Sequence, residues 1–230
     1  MGLFAVENSL EGSIGSTLDL LKEMETLIRD ELILQIRHFL LSKAPSISSV
    51  RRVLSHPAAL AQCRRFVKDH LSGRQIVSTS STAEGARLAS QDPSCAAIAS
   101  LRAASIYGLG VLAEDIQDQD SYTRFLVVGR EPTSPTRRDK TSLIFAVRDE
   151  PGALYKALRP FAERGINLKK IESRPSRRVL GEYMFFVDVE GHTQDSQLSE
   201  ALQELREVCT TVKILGSYPM ATVPTPPSRG

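Results

Sequence analysis

The stretch Ser142–Ser173, SLIFAVRDEPGALYKALRPFAERGINLKKIES, changes its apolar period twice. SLIFAVRD alternates with period 2, the mark of a strand. Pro151 then opens a segment in which Leu154, Leu158 and Phe161 share one helical face, and Gly165 stands where a left-handed residue would end it. INLKKIES returns to a strand pattern. The turn-rich RPSRRVLG (174–181) separates it from a further strand, EYMFFVDVEG (182–191). A helix carrying Leu198, Leu202, Leu205 and Val208 follows, and TVKIL (211–215) closes the series. The order βαββαβ predicts a ferredoxin-like domain, an antiparallel sheet with both helices on one face.

Immediately upstream, REPTSPTRRDK (130–140) has the prolines, hydroxyls and clustered charge of an exposed connector. This places a linker at 133–139 between a first domain over 1–132 and a second over 140–218, with a proline-rich tail at 219–230 expected to be disordered. In the first domain LILQIRHFLL (32–41) and VRRVLS (50–55) read as strands, and PAALAQCRRFVKDHL (57–71) as one helix with Pro57 in its first turn and Gly73 past its end. QIVSTS (75–80) reads as a strand, and STAEGARLA opens with Ser81 and Glu84 in capping-box spacing. CAAIA (95–99) is a short buried strand, SLRAASIYG a helix stopped at Gly108, and FLVVG (125–129) a strand. Strands alternating with helices predict an open, mostly parallel α/β sheet, which binds ligands at the carboxyl ends of its strands.

The 230 residues suffice for one large domain or two modest ones, and 41% hydrophobic content supplies their cores. Lys plus Arg number 29 against 27 Asp plus Glu, and this balance argues against nucleic acid or an anionic membrane as the defining partner. Cys63, Cys95 and Cys209 lie far apart without CxxC spacing, so neither a disulfide framework nor a metal site is expected, and a reducing, cytoplasmic setting is. No apolar run approaches the ~20 residues that span a bilayer, and Met1 leads into GLFAVENS without a signal pattern.

Four polar clusters could carry chemistry. In AVENSLEGSIGSTLDLL, Ala5 and Val6 end a strand, Glu7, Asn8 and Ser9 follow, and Gly12 and Gly15 lead to a helix near Ser16. Free amides there could hold an anion, or the segment is a glycine turn capped by Ser16 or Thr17. In LSHPAALAQC, either Ser55 caps the helix with His56 a bystander, or His56 meets an anion or works as an acid or base. SSTAEG is accounted for by its capping box. In DQDSYTRFLVV, Thr123 and Arg124 precede an apolar run; backbone would satisfy the threonine, and the arginine would be a solvated rim charge or the partner of an acid such as Asp118 or Asp120, unless both serve a ligand. A nucleophilic Thr123 would need an adjacent base that the sequence does not display. With four histidines in the chain, Ser/His/Asp hydrolysis has little support.

ENSLEG, LSHPAALAQC, SSTAEGARLA, AAIASLRAASIYGL and the TRF of Thr123–Phe125 occur in the order and spacing of prephenate dehydratases, which the chain resembles from about Gly2 to Tyr218. PGALYKAL and the KIESRP of Lys170–Pro175 resemble the ACT regulatory domain of the same enzymes. The resemblance implies a two-lobed, periplasmic-binding-protein-like α/β catalytic domain followed by a ferredoxin-like βαββαβ ACT domain. It implies a lyase that converts prephenate to phenylpyruvate with loss of water and carbon dioxide in phenylalanine biosynthesis, without metal or cofactor. Plant members favour arogenate. Thr123 would be the catalytic hydroxyl, and Glu7, Asn8, Ser9, Ser55, His56, Gln62, Arg124 and Phe125 would bind substrate or support the cleft. Phenylalanine would bind between ACT domains of paired subunits at Gly152, Ala153, Leu154, Asn167, Glu172, Ser173, Arg174 and Pro175, predicting a homodimer or homotetramer and no nucleic-acid or membrane partner.

Family members carry a further glycine-rich segment and strand ahead of the ENS motif, so the catalytic half is expected to be truncated at its N-terminus. A non-catalytic amino-acid sensor is the expectation if that truncation is real, and a plastid location if the chain is a plant or algal sequence lacking its transit peptide. Ser121 stands where the family often has asparagine.

Overall fold

The computed structural model describes residues 1–175 and 183–222. From the N-terminus, β1 (Gly2–Asn8) and the two-residue β2 (Gly12–Ser13) form a hairpin that leads into α1 (Gly15–Glu23) and β3 (Leu27–Ile36). Next come β4 (Phe39–Ser42), a 3-10 turn at Ile47–Ser49, β5 (Arg52–Ser55), α2 (Pro57–Gln62), α3 (Arg64–His70) and β6 (Gln75–Ser78). They are followed by α4 (Thr82–Ala89), β7 (Cys95–Ala99), α5 (Leu101–Tyr107) and β8 (Gly110–Ala113). The chain continues as β9 (Ser121–Gly129), β10 (Asp139–Ala146), α6 (Ala153–Glu163), β11 (Leu168–Pro175), β12 (Tyr183–Glu190), α7 (Ser196–Val208) and β13 (Thr211–Pro219). Two compact units result: Met1–Leu34 together with the described part of Thr123–Gly230, and Gln35–Tyr122. Among the described residues no helix is long and apolar enough to cross a membrane.

In the first unit the sheet β11-β12-β10-β13 is antiparallel throughout, in the strand order of the ferredoxin-like fold. Its alternation serves two cores. Leu143, Phe145, Phe185, Val187 and Val189 pack on one face against Ala157 and Phe161 of α6 and Leu198, Leu202 and Leu205 of α7. The intervening Ile144 and Phe186, with Leu215 and Tyr218, pack on the other face against Val6, Leu18, Leu21, Ile28 and Leu126. Those residues belong to a second sheet, β2-β1-β9-β3, and to α1. Covered on both sides, β10 is buried along its whole length. Each large apolar side chain so buried contributes about 1.5–3 kcal/mol of transfer free energy.

The close approach of the two sheets has a backbone requirement. Gly216, at φ +150, lies where a Cβ would stand 2.2 Å from the carbonyl oxygen of Ile28, and the β10–β13 register shifts by a bulge at that point. At the other end of the chain, Pro219 closes β13 and the Met220 amide donates to Arg138 O (2.9 Å), so the stretch read as a disordered tail begins with ordered backbone. Its remainder from 223, and residues 176–182 that include most of the RPSRRVLG turn, lie outside the described residues.

The second unit is a five-stranded sheet, β6-β5-β7-β4-β8. β5 pairs with β6 and β7 in parallel, but β4 pairs antiparallel with both β7 and β8, so the expected mostly parallel sheet is mixed. Helices cover both faces, which is why CAAIA is buried at every position: Cys95, Ala97 and Ala99 face α4 and α5, whereas Ala96 and Ile98 face Ala59, Cys63 and Leu71.

Two further expectations need correction. LILQIRHFLL is not one strand: residues 32–36 complete β3, which leaves the first unit after Leu34, and 39–42 form β4 in the second. At the joint Arg37 is engaged by Asp115, and the His38 amide donates to Gln117 Oε1 (2.9 Å). The helix expected over 57–71 is broken at Cys63. Asp118 staples the break: its amide donates to Gln62 O (2.7 Å) and its carboxylate accepts from the Arg65 amide (3.1 Å), satisfying helix-end groups that an uninterrupted helix would pair internally.

Candidate active site

The ENS and TRF segments meet as neighbouring strands. β1 and β9 run antiparallel with Asn8 opposite Thr123 and Glu7 opposite Arg124. Thr123 therefore sits inside a strand, not ahead of one, and its residue is 8% exposed. Its Oγ1 accepts a hydrogen bond from Asn8 Nδ2 (3.0 Å). The orientation of that amide is set by its other end, because Asn8 Oδ1 accepts from the Leu10 amide (2.9 Å) and the Glu11 amide (3.2 Å). A side chain tied this way has lost its rotamer freedom before any ligand arrives, so the threonine oxygen is held by a rigid donor. Ser9 is exposed beside the pair, and Phe125 is half-buried opposite Ala5.

Arg124 turns away from Thr123 into the space between the two sheets. Its partners are Glu31 (2.8 Å), Asp188 (2.7 Å), Glu7 (3.5 Å) and the Tyr218 hydroxyl (3.1 Å), not Asp118 or Asp120 as the sequence suggested. Asp118 serves the α3 terminus, and Asp120 accepts from Gln35 Nε2 (3.5 Å). Burial by itself would lower the guanidinium pKa, but Tyr218, Asp188 and Glu31 outweigh it and hold the pKa above its ordinary value. Burial, followed by the Asp188 charge, pushes the Tyr218 phenol well above 10.0, so this residue stays neutral. Lys140 Nζ adds a second cation, 2.7 Å from Glu31. Tyr218 also bonds Ser142 Oγ (2.6 Å). Composition and period gave no signal for this cluster; the one available clue was an acid, Asp188, at an apolar position of MFFVDVE.

The glycine segment after ENS does not present an open anion site. α1 starts at Gly15 without a side-chain cap from Ser16 or Thr17, and Thr17 Oγ1 donates instead to Ala5 O (2.6 Å). Over Gly15 lies the Arg174 guanidinium, which donates to Gly15 O (3.0 Å) and stands 3.6 Å from Asp19. Arg174, expected at the effector site, is thus committed to α1. Along β11 burial alternates, with Lys170, Glu172 and Arg174 half-buried and Ile171, Ser173 and Pro175 exposed. Gly152 is the left-handed N-cap of α6 at φ +79, with Ala153 and Leu154 half-buried behind it, and Asn167 is exposed in the segment before β11.

In the second unit Ser55 is fully buried and donates to Ile98 O (2.6 Å), so it is not the helix cap. His56 is: its Nδ1 accepts from the Ala58 amide (3.2 Å) while the ring remains exposed. Gln62 Oε1 lies 2.9 Å from Nε2 of the buried His38, a partner that sequence pattern did not single out. Ser81 accepts from the Glu84 amide (3.1 Å), and Glu84 bonds Ser80, which confirms a structural capping role for SSTAEG. Burial, then Asp118, pushes the Cys63 thiol up to about 12. Among the described residues no group of three or more His, Cys, Asp or Glu could hold a metal ion.

The prephenate dehydratase family matches residues 1–133, and the ACT domain matches residues 141–207. The chain belongs to the prephenate dehydratase family. Among curated relatives, the bifunctional chorismate mutase/prephenate dehydratase of Aquifex aeolicus is 47% identical over 96% of this chain, which spans 61% of that protein's length. Among solved structures, the prephenate dehydratase of Arthrobacter aurescens in complex with L-Phe is 38% identical with a TM-score of 0.85, covering 95% of this chain and 74% of that one. A structure described as GqqA, a novel type of quorum quenching acylase, reaches the same TM-score at 33% identity, covering 95% of this chain and 81% of that one. The dehydratase family thus accounts for both the α/β part and the ACT part of the chain.

Proposed function

We propose that this protein converts prephenate to phenylpyruvate, with loss of water and carbon dioxide, in phenylalanine biosynthesis. The observation that carries the reading is the Asn8–Thr123 hydrogen bond, in which the threonine oxygen accepts from a pinned amide. Its own proton is then the part of the hydroxyl offered to a ligand. As the ring carboxylate of prephenate leaves as carbon dioxide, its bonding pair enters the ring and expels the hydroxyl across it. The ring becomes aromatic, and the departing hydroxide needs one proton to leave as water. Thr123 supplies that proton and recovers it from solvent, so that one proton is consumed per turnover. A threonine hydroxyl is a weak acid, and positioning carries much of the rate.

Ser9 and Phe125 are proposed to line the reacting region, Glu7 to support it from the opposite face of its strand, and Ser55, His56 and Gln62 to support substrate binding. Arg124 shapes the strand pair from behind. Phenylalanine is proposed as effector, bound by Gly152, Ala153, Leu154, Asn167, Glu172, Ser173 and Pro175, with Arg174 anchoring that segment. The edge position of β11 among the described residues and the exposed Tyr155, Ile171 and Tyr183 support two-fold pairing of ACT sheets in a dimer or tetramer. A cytoplasmic setting accompanies this reading.

The test is turnover of prephenate, followed as phenylpyruvate absorbance in alkali, with arogenate assayed in parallel. Wild type should turn over one of the two, Thr123→Val should lose it, and Thr123→Ser should keep a part. Full activity in Thr123→Val would remove Thr123 from the mechanism. An acylase reading draws support from the GqqA likeness, but an acyl-transfer nucleophile needs a neighbouring base, and the partner of Thr123 is an amide donor.

A further inference from the structure

Two registered pairs of opposite charge face one another between the sheets of the first unit. Glu7 and Arg124 oppose each other on β1 and β9, one position from Asn8 and Thr123. Lys170 and Asp188 oppose each other on β11 and β12. Lys170 Nζ lies 3.1 Å from Glu7 Oε2, Arg124 Nη1 lies 2.7 Å from Asp188 Oδ2, and Arg124 Nη1 lies 3.5 Å from Glu7 Oε2. The charges alternate along a line from Lys170 through Glu7 and Arg124 to Asp188. Side-chain exposure is 13% for Arg124 and 8% for Asp188, so that pair is far less screened than a surface ion pair, whereas Glu7 at 38% leaves its contacts with Arg124 and the 13%-exposed Lys170 partly open to solvent. Lys170 also donates to Ser13 Oγ (2.5 Å) on β2, the far arm of the hairpin that carries Asn8.

Successive strand residues point to opposite faces, so Glu7 and Arg124 reach the ACT sheet while their neighbours Asn8 and Thr123 face away from it. We propose that Lys170 and Asp188, both in the ACT domain, are positioning residues for the Thr123 hydroxyl: they hold Glu7 and Arg124, and through the strand backbone they fix Asn8 against Thr123. Lys170 also pairs with Glu172 (3.5 Å) at the start of the ESRP segment. A ligand that moves this segment therefore reaches the catalytic strand pair through one ammonium group. The inference rests on the function proposed above and adds the ACT-side residues that act on its site.

Asn8 and Asn167 are the two asparagines of the chain, so asparagine-selective 15N labelling of the full-length protein reports on the Thr123 bond and on the effector segment separately. Lys170→Met should shift the Asn8 side-chain amide resonance and lower kcat about tenfold or more, with KM within about twofold. Lys170→Arg, which keeps the charge, should restore both. An Asn8 resonance and a kcat unchanged in Lys170→Met overturn the inference. Phenylalanine should move both asparagine signals in wild type but only Asn167 in Lys170→Met, and a wild-type response at Asn167 with none at Asn8 also overturns it. Absence of turnover in wild type would refute the proposed reaction, whereas the Asn8 resonance would still decide the positioning role. Asp188→Asn provides the same comparison should Lys170→Met fail to fold.

Discussion

Asn8 donates from Nδ2 to the Thr123 hydroxyl oxygen, 3.0 Å away across a pair of antiparallel strands. The two residues are 115 positions apart in the chain, yet directly opposite in register. Replacing Asn8 should act mainly on the reaction, because the Leu10 and Glu11 amides that its Oδ1 serves are exposed and can turn to water. Asn8→Ala is expected to lower kcat by about 10- to 100-fold while its unfolding midpoint in urea stays near that of wild type. Asn8→Asp should be as damaging, because a carboxylate would accept the threonine proton instead of donating to its oxygen. In a double-mutant cycle with Thr123→Val the two losses should be strongly non-additive.

The buried ionic cluster predicts an asymmetric response. Arg124→Met leaves Glu31 and Asp188, both nearly inaccessible, short of a counter-charge, and should destabilise the first unit by about 3–5 kcal/mol. Arg124→Lys should recover only part, since one ammonium cannot serve the three carboxylates and the Tyr218 hydroxyl that the planar fork reaches. Denaturant titration monitored by far-ultraviolet circular dichroism makes the comparison.

Gly216 supplies a steric prediction. A methyl group there would lie 2.2 Å from the backbone oxygen of Ile28 at a φ of +150, so Gly216→Ala should cost about 3 kcal/mol of stability. Gly73→Ala, at φ +76 in open space, carries only the strain of its backbone and should cost about 1 kcal/mol.

Alkaline pH should destabilise the fold in a defined window. Buried acids with raised pKa values hold their protons more tightly when folded, so their contribution is complete below the unfolded pKa and is lost as pH rises beyond it. Burial raises Cys209 from 9.0 to about 11, and burial followed by Asp118 raises Cys63 from 9.0 to about 12. Tyr218 moves well above 10.0, through burial first and then the Asp188 charge. The contribution of these three groups should thus be lost progressively above about pH 9. Tyr218→Phe should flatten the part of that loss above 10.0, and in wild type the tyrosinate absorbance of one of the five tyrosines should appear only on unfolding.

The ACT domain was legible because its strands and helices keep one period, 2 or 3.6, and four of them stop at a glycine or proline whose conformation is local, Gly165, Pro175, Gly191 and Pro219. The single strand read over 32–41 failed at Arg37 and His38, where the partners that break it, Asp115 and Gln117, stand nearly 80 residues away. The helix at Cys63 failed for the same reason, since Asp118 satisfies its broken ends from a distant loop. At the site, Thr123 and Asn8 were legible through motif, but the destinations of Arg124 and Arg174 were not. An arginine can reach any carboxylate or carbonyl within its length, and sequence does not say which one folding brings near.

By itself the sequence determined the family and the βαββαβ domain, and it singled out Asn8 and Thr123 as candidates, because these follow from periodicity, spacing and motif along the chain. Tertiary structure alone decided that the second face of the ACT sheet packs on the strands carrying Asn8 and Thr123, and that Lys170 and Asp188 meet Glu7 and Arg124 there. The physical reason is that strand register is local in its rules but non-local in its partners. Which charged side chains end up facing one another depends on how two sheets bury their remaining apolar faces, and no segment records that choice.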